Sequence, residues 1–284
     1  MSKNYRAELV GAFGNPIDEN PTGVMEEAAF AAKGLNFRYL TVKVEKEDLE
    51  AAMNGVKAFQ MKGINLTIPH KVKVLEYLDE LSEAARIIGA VNMVVNKDGK
   101  LWGENTDGKG FLISLKNEEV SVDGKNVVIL GAGGAAKAIG VECALAGAKR
   151  ITVVNRSRER GQDLADLIAE KTSADSQYVS WDDSYRVGPD TDILINATCI
   201  GLYPDVDKKP DVDYDTITPS MVVSDVVFND PNTLFLQEAA KRGAHTVNGL
   251  GMLVNQGALN FTLWTGEEAP LDVMTDTLKK EFGL

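Results

Sequence analysis

The chain predicts a two-domain α/β protein: one domain is a Rossmann-type doubly wound parallel sheet, the other a mixed α/β unit. Three observations carry this. Strand-like and helix-like runs alternate along all 284 residues, with no internal repeat and no low-complexity linker. In the second half the apolar runs "NVVIL", "DILINAT" and "MVVSDVVF" are nearly continuous, as in strands covered on both faces by crossover helices. The first of these runs leads through a Gly-rich turn, "GAGGAA", into a helix-like segment.

Taken in order, "AELVGAF" reads as a first strand, and "GNPIDENPTG" after it is a loop of turn-forming residues. The spacing in "GVMEEAAFAAKG" suits an amphipathic helix. A strand "FRYLTVKV", a helix "KEDLEAAMNGVKA" and a strand "GINLTIP" follow. One helix is expected over "KVKVLEYLDELSEAARIIG", ending at Gly89. A hairpin over "AVNMVVNKDGKLWGEN" turns at "KDGK". After the strand-turn-helix-strand run from 125 to 157 come two more apolar strands, the helix "NTLFLQEAAKRG" and the strand "AHTVNG". Two helices, "LVNQGALNFTLWTG" and "PLDVMTDTLKKEF", end the chain. The expected boundaries are 1–106 with 248–284 for the mixed domain, and 107–247 for the parallel-sheet domain.

Composition narrows the function classes. The net charge of −12 argues against nucleic acid and against an anionic membrane surface as partners. No apolar run approaches the 18 or so residues of a membrane span, and "MSKNYRAELV" lacks the apolar core of a secretion signal. Cys143 and Cys199 are the only cysteines and there are two histidines. A disulfide framework, a metal site and a histidine-based triad have no support, and a reducing cytoplasm fits best.

The turn "GAGGAA" is a G-x-G-x-x-A form of the dinucleotide fingerprint. Gly131 permits the tight turn, Gly133 lets backbone approach a diphosphate, and Ala136 allows close helix–strand packing. The helix start then offers free N–H groups and the positive end of a dipole. At the end of the next strand an acidic residue would favour NAD; this chain has "NRSRER" instead. Guanidinium groups suit a 2′-phosphate, so NADP is favoured, with NAD the alternative.

Two polar positions follow strand ends elsewhere: Lys71 in "NLTIPHK" and Asp107 in "ENTDGKG". A lysine beside a carboxylate suits proton exchange for an alcohol/ketone couple. By spacing alone, Lys71 reads more readily as a solvated helix start than as a catalytic group. His70 reads as a bystander beside it, His245 as lying near a strand start, and Trp102, Trp181 and Trp264 as packing residues.

The ordered set "GNPI", "NLTIPHK", "GAVN", "NTDGKG", "GAGGAAKA", "NRS", "LINAT", "NDPNT" and "NGLGMLVNQGA" resembles the shikimate/quinate dehydrogenase family from residue 14 to 258. The resemblance implies an N-terminal substrate domain, an NADP-binding domain and a cleft between them. It carries over Lys71 and Asp107 as the catalytic pair. Asn92, Thr67 and Gln256 match substrate-contacting positions. Gly131, Ala132, Gly133, Gly134, Ala135, Asn155, Arg156 and Arg160 match cofactor positions, and Thr198, Gly249 and Met252 match the nicotinamide side. Asn92 as a strand-end cap, and Met252 with Leu253 as core filling, remain alternatives.

One end of the implied site departs from the family. Its first loop reads G-x-P-I-x-H-S-x-S-P, with two serines that donate to the substrate carboxylate. This chain has Glu19, Asn20, Thr22 and Gly23 at the corresponding positions. Phe228 replaces the tyrosine of the family's "VYNP". Asn20 and Thr22 retain an amide and a hydroxyl donor and are expected to face the ligand, with Asp18 and Glu19 turned to solvent. The expectation is hydride transfer on a secondary ring alcohol of a cyclohexane or cyclohexene carboxylate, shikimate or quinate. A relative with a distinct substrate, or a metabolite-sensing protein with little catalysis, is the alternative. The expected partner is that small molecule, in a monomer or homodimer.

Overall fold

The computed structural model describes residues 5–284; residues 1–4 of the N-terminal stretch read above for a secretion signal lie outside them. Two α/β units make up the chain, one on a mixed sheet and one on a parallel sheet. The first comprises 1–106 and 256–284, the second 107–255. Residues 248–255, assigned from the sequence to the mixed domain, go with the second unit.

In the first unit, β1 (Glu8–Gly14), α1 (Thr22–Ala32), β2 (Phe37–Lys43), α2 (Leu49–Ala58) and β3 (Gly63–Leu66) form a parallel strand–helix–strand array. After the single turn α3 (His70–Lys73) come β4 (Glu80–Leu81), α4 (Glu83–Ile88) and the hairpin β5 (Met93–Lys97) and β6 (Lys100–Glu104). The sheet order is β2-β1-β3-β5-β6-β4, with β5 antiparallel to both neighbours. Phe13, Leu49, Met53, Ile64, Leu66, Val94 and Leu101 form a core cluster here.

The single helix expected over 71–89 is corrected by the structure. It breaks at Leu78, which is extended at φ −101°, ψ 142°. The Asp79 carboxylate accepts the Leu101 N–H at 2.7 Å, while the Asp79 N–H donates to the Leu101 carbonyl at 2.9 Å. Sheet pairing to β6 thus outcompetes helix continuation. A new helix then needs its own cap: the Ser82 hydroxyl accepts the Ala85 N–H at 3.1 Å, a cap worth about 1 kcal/mol. Gly89 closes α4 in the left-handed region at φ +66°.

The second unit runs α5 (Thr106–Asn117, of which Thr106 belongs to the first unit), β7 (Asn126–Leu130), α6 (Gly134–Leu145), β8 (Arg150–Asn155), α7 (Arg158–Lys171) and β9 (Asp175–Ser180). It continues through β10 (Ile193–Asn196), β11 (Val222–Asp225), α8 (Leu234–Lys241) and β12 (His245–Val247). All six strands are parallel, in the order β12-β11-β10-β7-β8-β9. Counted from β7, this is the 3-2-1-4-5-6 order of dinucleotide-binding sheets, whose switch point lies beside the first strand. The edge strand β9, "DSQYVS", is half-polar and carries no continuous apolar run. Helix α9 (Leu250–Thr265) starts in the second unit; from Gln256 onward it belongs to the first, as does α10 (Leu271–Glu281).

Candidate functional site

The first unit gathers Asn20, Thr22, Thr67, Lys71, Asn92 and Gln256 at the ends of β1, β3 and β5 and on α9. The loop after β1 is pinned to the loop after β3, because the Asn15 N–H donates to the Ile68 carbonyl at 2.8 Å. Thr67 follows β3 directly; its N–H donates to Phe13 at 3.0 Å and its carbonyl accepts from His70 at 2.8 Å. Lys71 is half-buried in α3, and its carbonyl accepts the Val91 N–H at 2.8 Å. His70 is fully buried and its Nε2 donates to the Val44 carbonyl at 2.9 Å, so its role is to anchor α3 against the end of β2.

Asn92 is 3% exposed and holds the chain at Thr106 from both sides. Its Oδ1 accepts the Thr106 N–H at 2.8 Å and its Nδ2 donates to the Thr106 hydroxyl at 3.0 Å. That hydroxyl donates in turn to Asn260 Oδ1 at 2.9 Å, and Asn260 Nδ2 donates to Gln256 Oε1 at 3.2 Å. A continuous polar network therefore runs from beside Lys71 to Gln256 and fixes the residue immediately before Asp107. Asn92 does act as a cap of sorts, but on α5 and not on its own strand.

In the loop 14–23, Asp18 and Glu19 are exposed, Asn20 is half-buried and Thr22 buried. Asn20 Oδ1 accepts the Thr22 N–H at 2.9 Å, which commits the acceptor side of the amide to the start of α1. The serine pair of the family pattern is thus replaced by one self-bonded amide and one buried threonine.

The second unit carries Asp107, half-buried in the first turn of α5, and the whole cofactor set. Gly131 sits at φ +109°, a conformation that side chains disfavour, and its N–H donates to Val154 at 2.8 Å. A Cβ built on Gly133 or Gly134 would meet nothing within 4 Å, so the backbone there borders open space. Gly133 is the N-cap of α6 and supplies no side chain to its first N–H groups. Ala132 and Ala135 are half-buried and Ala136 is fully buried against the sheet. Uncapped N–H groups beside open space fit a diphosphate. At the end of β8, Asn155 Nδ2 donates to the Ser157 carbonyl at 2.8 Å, and the Ser157 hydroxyl caps α7. Arg156 and Arg160 are exposed and suit a 2′-phosphate. The residues present therefore fit NADP.

Thr198, Phe228 and Met252 are half-buried and Gly249 is buried. A Cβ on Gly131 would lie 3.0 Å from the Ala197 carbonyl and the Thr198 methyl, and one on Gly249 would collide with the backbone of Val226 and Val227. Sequence reasoning passed over Lys137, half-buried on α6, where burial lowers the ammonium pKa and Asp163 opposes the shift. Its only signal was its place inside "GAGGAAKA". His245 opens β12, exposed and 3.6 Å from Glu118. Trp181 and Trp264 are buried, with indole N–H groups donating to Asp211 and Val94 carbonyls.

Family models match three stretches of the chain: a shikimate dehydrogenase substrate-binding domain over residues 12–94, a shikimate/quinate 5-dehydrogenase over 114–203, and a shikimate 5′-dehydrogenase C-terminal domain over 249–279. The shikimate dehydrogenase (NADP+) of Desulforamulus reducens is 41% identical over 281 residues, covering 98% of this chain and 97% of that one. Among solved structures, the ligand-free 5-ketofructose reductase of Gluconobacter sp. strain CHM43 is 47% identical with a TM-score of 0.95, over 98% of this chain and 100% of that one. A shikimate dehydrogenase in complex with NADP+ is 40% identical with a TM-score of 0.92, over 98% and 97%. With matches of this length and identity on both units, the chain belongs to the shikimate/quinate dehydrogenase family.

Proposed function

We propose that this chain is an NADP(H)-dependent oxidoreductase that interconverts a secondary alcohol and a ketone on a small polyhydroxylated substrate. The observation that carries the reading is the turn after β7: open backbone at Gly133 and Gly134, an uncapped α6 and exposed Arg156 and Arg160 one strand away. When bound, NADP(H) supplies or accepts the hydride. Lys71 exchanges the proton of the reacting oxygen, and Asp107 orients that oxygen and balances the lysine charge. Asn92 and Gln256 hold neighbouring hydroxyls, and Thr67, Asn20, Thr22 and Phe228 are the remaining substrate-side residues. A cytoplasmic monomer or homodimer is part of the proposal.

The first substrate class is a hydroxylated cyclohexane or cyclohexene carboxylate: shikimate, as the names of the curated relatives suggest, or quinate, as the family model over 114–203 adds. A second class has specific support. The loop holding Asn20 and Thr22 lacks the serine pair, Phe228 has no hydroxyl to donate, and the 47%-identical relative is named for 5-ketofructose, an uncharged keto-sugar.

Steady-state kinetics crossing shikimate, quinate and 5-ketofructose with NADP(H) and NAD(H) test both. Turnover is expected with at least one substrate, with NADP(H) preferred and kcat/KM reaching ~10⁶ M⁻¹s⁻¹ for the true one. Lys71→Ala is expected to lower kcat by about 10²–10⁴ with NADPH binding kept. No turnover on any of the three, or unchanged turnover in Lys71→Ala, would sink the reading.

A further inference from the structure

One buried carboxylate in the second unit has no part in the chemistry above, yet it ties together the loops around the nicotinamide-side residues. Asp225 ends β11 and is 1% exposed. Its Oδ1 accepts Asn196 Nδ2 and the Val227 N–H, each at 3.0 Å, and its Oδ2 accepts the Thr233 hydroxyl at 2.7 Å. Those three donors lie on three different segments.

Asn196, at the end of β10, is fully buried and passes the connection on. Its Oδ1 accepts the Thr198 N–H at 3.2 Å and the Thr198 hydroxyl at 2.7 Å, and that hydroxyl oxygen accepts the Ile200 N–H at 3.0 Å. Val227 belongs to the loop that leads to Phe228. Thr233 caps α8 by accepting the Leu236 N–H at 3.4 Å. Each of the two strand-end loops abuts one glycine of the cofactor set. Ala197 and Thr198 lie against Gly131, and Val226 and Val227 lie against Gly249, both too closely for a side chain there to fit without displacing them.

We propose that Asp225 is a positioning residue for the cofactor: it sets the separation of the Thr198 loop and the Val226–Phe228 loop, and with it the surface that Gly131 and Gly249 present to the nicotinamide end. The proposal rests on the reading of Thr198, Gly249 and Met252 as nicotinamide-side residues. A carboxylate suits this task because a single group accepts from three donors, two of them charge-assisted bonds to side chains on separate elements. A hydroxyl or an amide cannot accept as many without also presenting a hydrogen of its own. The network is therefore complete only while Asp225 is ionised. Burial pushes its pKa up to about 6, opposed by the bonds from Val227, Thr233 and Asn196. Asp230 raises it further, and Tyr214 is a second titratable group in its field.

The test compares Asp225→Asn, Thr233→Val and Thr233→Ser with the wild-type enzyme by Tm, by NADPH Kd from nicotinamide fluorescence, and by kcat against pH from 5 to 9. Asp225→Asn keeps the volume but offers an N–H where a lone pair was. It is expected to lower kcat about tenfold or more, as a misplaced reacting carbon does, with NADPH Kd changed less than about threefold. In the wild type kcat should fall as the pH drops through about 6. That limb should vanish in Asp225→Asn, move to higher pH in Thr233→Val, where one bond to the charged form is lost, and stay in place in Thr233→Ser. Wild-type kcat in Asp225→Asn, or an acid limb that survives in it, overturns the proposal. So does a loss of Tm in all variants with kcat per folded enzyme unchanged. If the wild type turns over none of the three substrates, the functional reading fails separately. The emission of bound NADPH then decides: it should differ between wild type and Asp225→Asn at equal saturation, and identical spectra overturn the proposal. If Asp225→Asn does not fold, the Thr233 pair carries the same comparison.

Discussion

Glu26 shows what a single residue can do against its own fold. It lies on the inner face of α1, fully buried beside Tyr39 and the backbone at Gly257, and neither carboxyl oxygen has a hydrogen-bond partner. Desolvation pushes its pKa well above the ordinary carboxylate value. In the unfolded chain the same group titrates near the usual ~4.3. Between the two values the folded protein holds a proton that the unfolded chain has released, so stability falls as pH rises through that window. Glu26→Gln is expected to melt above wild type at pH 8 and with it at pH 4, measured by thermal unfolding. An equal Tm at both pH values would show that the carboxyl is not held neutral. Glu26 also shows where sequence reading stops. Its position in "GVMEEAAF" fits an amphipathic helix, but whether a carboxyl at the helix–core boundary faces solvent depends on α9, more than 200 residues away in the chain. Asp225 was hidden for the same reason: its partner Asn196 is 29 positions distant, and no local pattern joins them. The Gly-rich turn, by contrast, follows β7 directly, and that local context was readable, whereas Lys71 was singled out by the ordered family motifs and not by its own spacing.

At the scale of elements, the turn between β7 and α6 is where backbone conformation and packing demand the same residue. Gly131→Ala would place a side chain at φ +109° and 3.0 Å from the Ala197 carbonyl. The strain alone is about 1–3 kcal/mol, so Tm should drop by several degrees. NADPH affinity should fall as well, since the displaced neighbour is the Thr198 loop; calorimetric unfolding with and without NADPH checks both. An unchanged Tm would mean that the turn relaxes freely. Elements with one dominant signal were legible in the sequence: the parallel strands as apolar runs, the hairpin β5–β6 from "KDGK". The break between α3 and α4 was not. Its apolar spacing is compatible with a helix, and only the pairing of Asp79 with Leu101 makes extended backbone the better choice. Strand β9 escaped because an edge strand with a half-polar pattern lacks the apolar run that marked its neighbours.

At the scale of the whole molecule, the first unit is assembled from both ends of the chain. Phe261 on α9 stacks on Phe30 at 5.4 Å, the Trp264 indole donates to Val94 at 3.1 Å, and α10 packs on α1 with Met274 and Leu278 fully buried. A chain stopped after Thr265 would lack α10 and uncover that face of α1. Limited proteolysis of this variant should cut within 5–106 while 107–255 stays protected. Equal protection of both stretches would show that α10 is dispensable to the first unit.

Synthesis on the ribosome runs from the N-terminus, so residues 107–255 emerge complete while the first unit still lacks its last two helices. The apolar inner face of α1, with Met25, Ala29 and Phe30, must wait for a partner made only after the second unit. During that interval the nascent chain carries one finished half and one sticky half. Slow decoding of the codons for 256–284 would lengthen that exposure, and holdase chaperones would find their surface there.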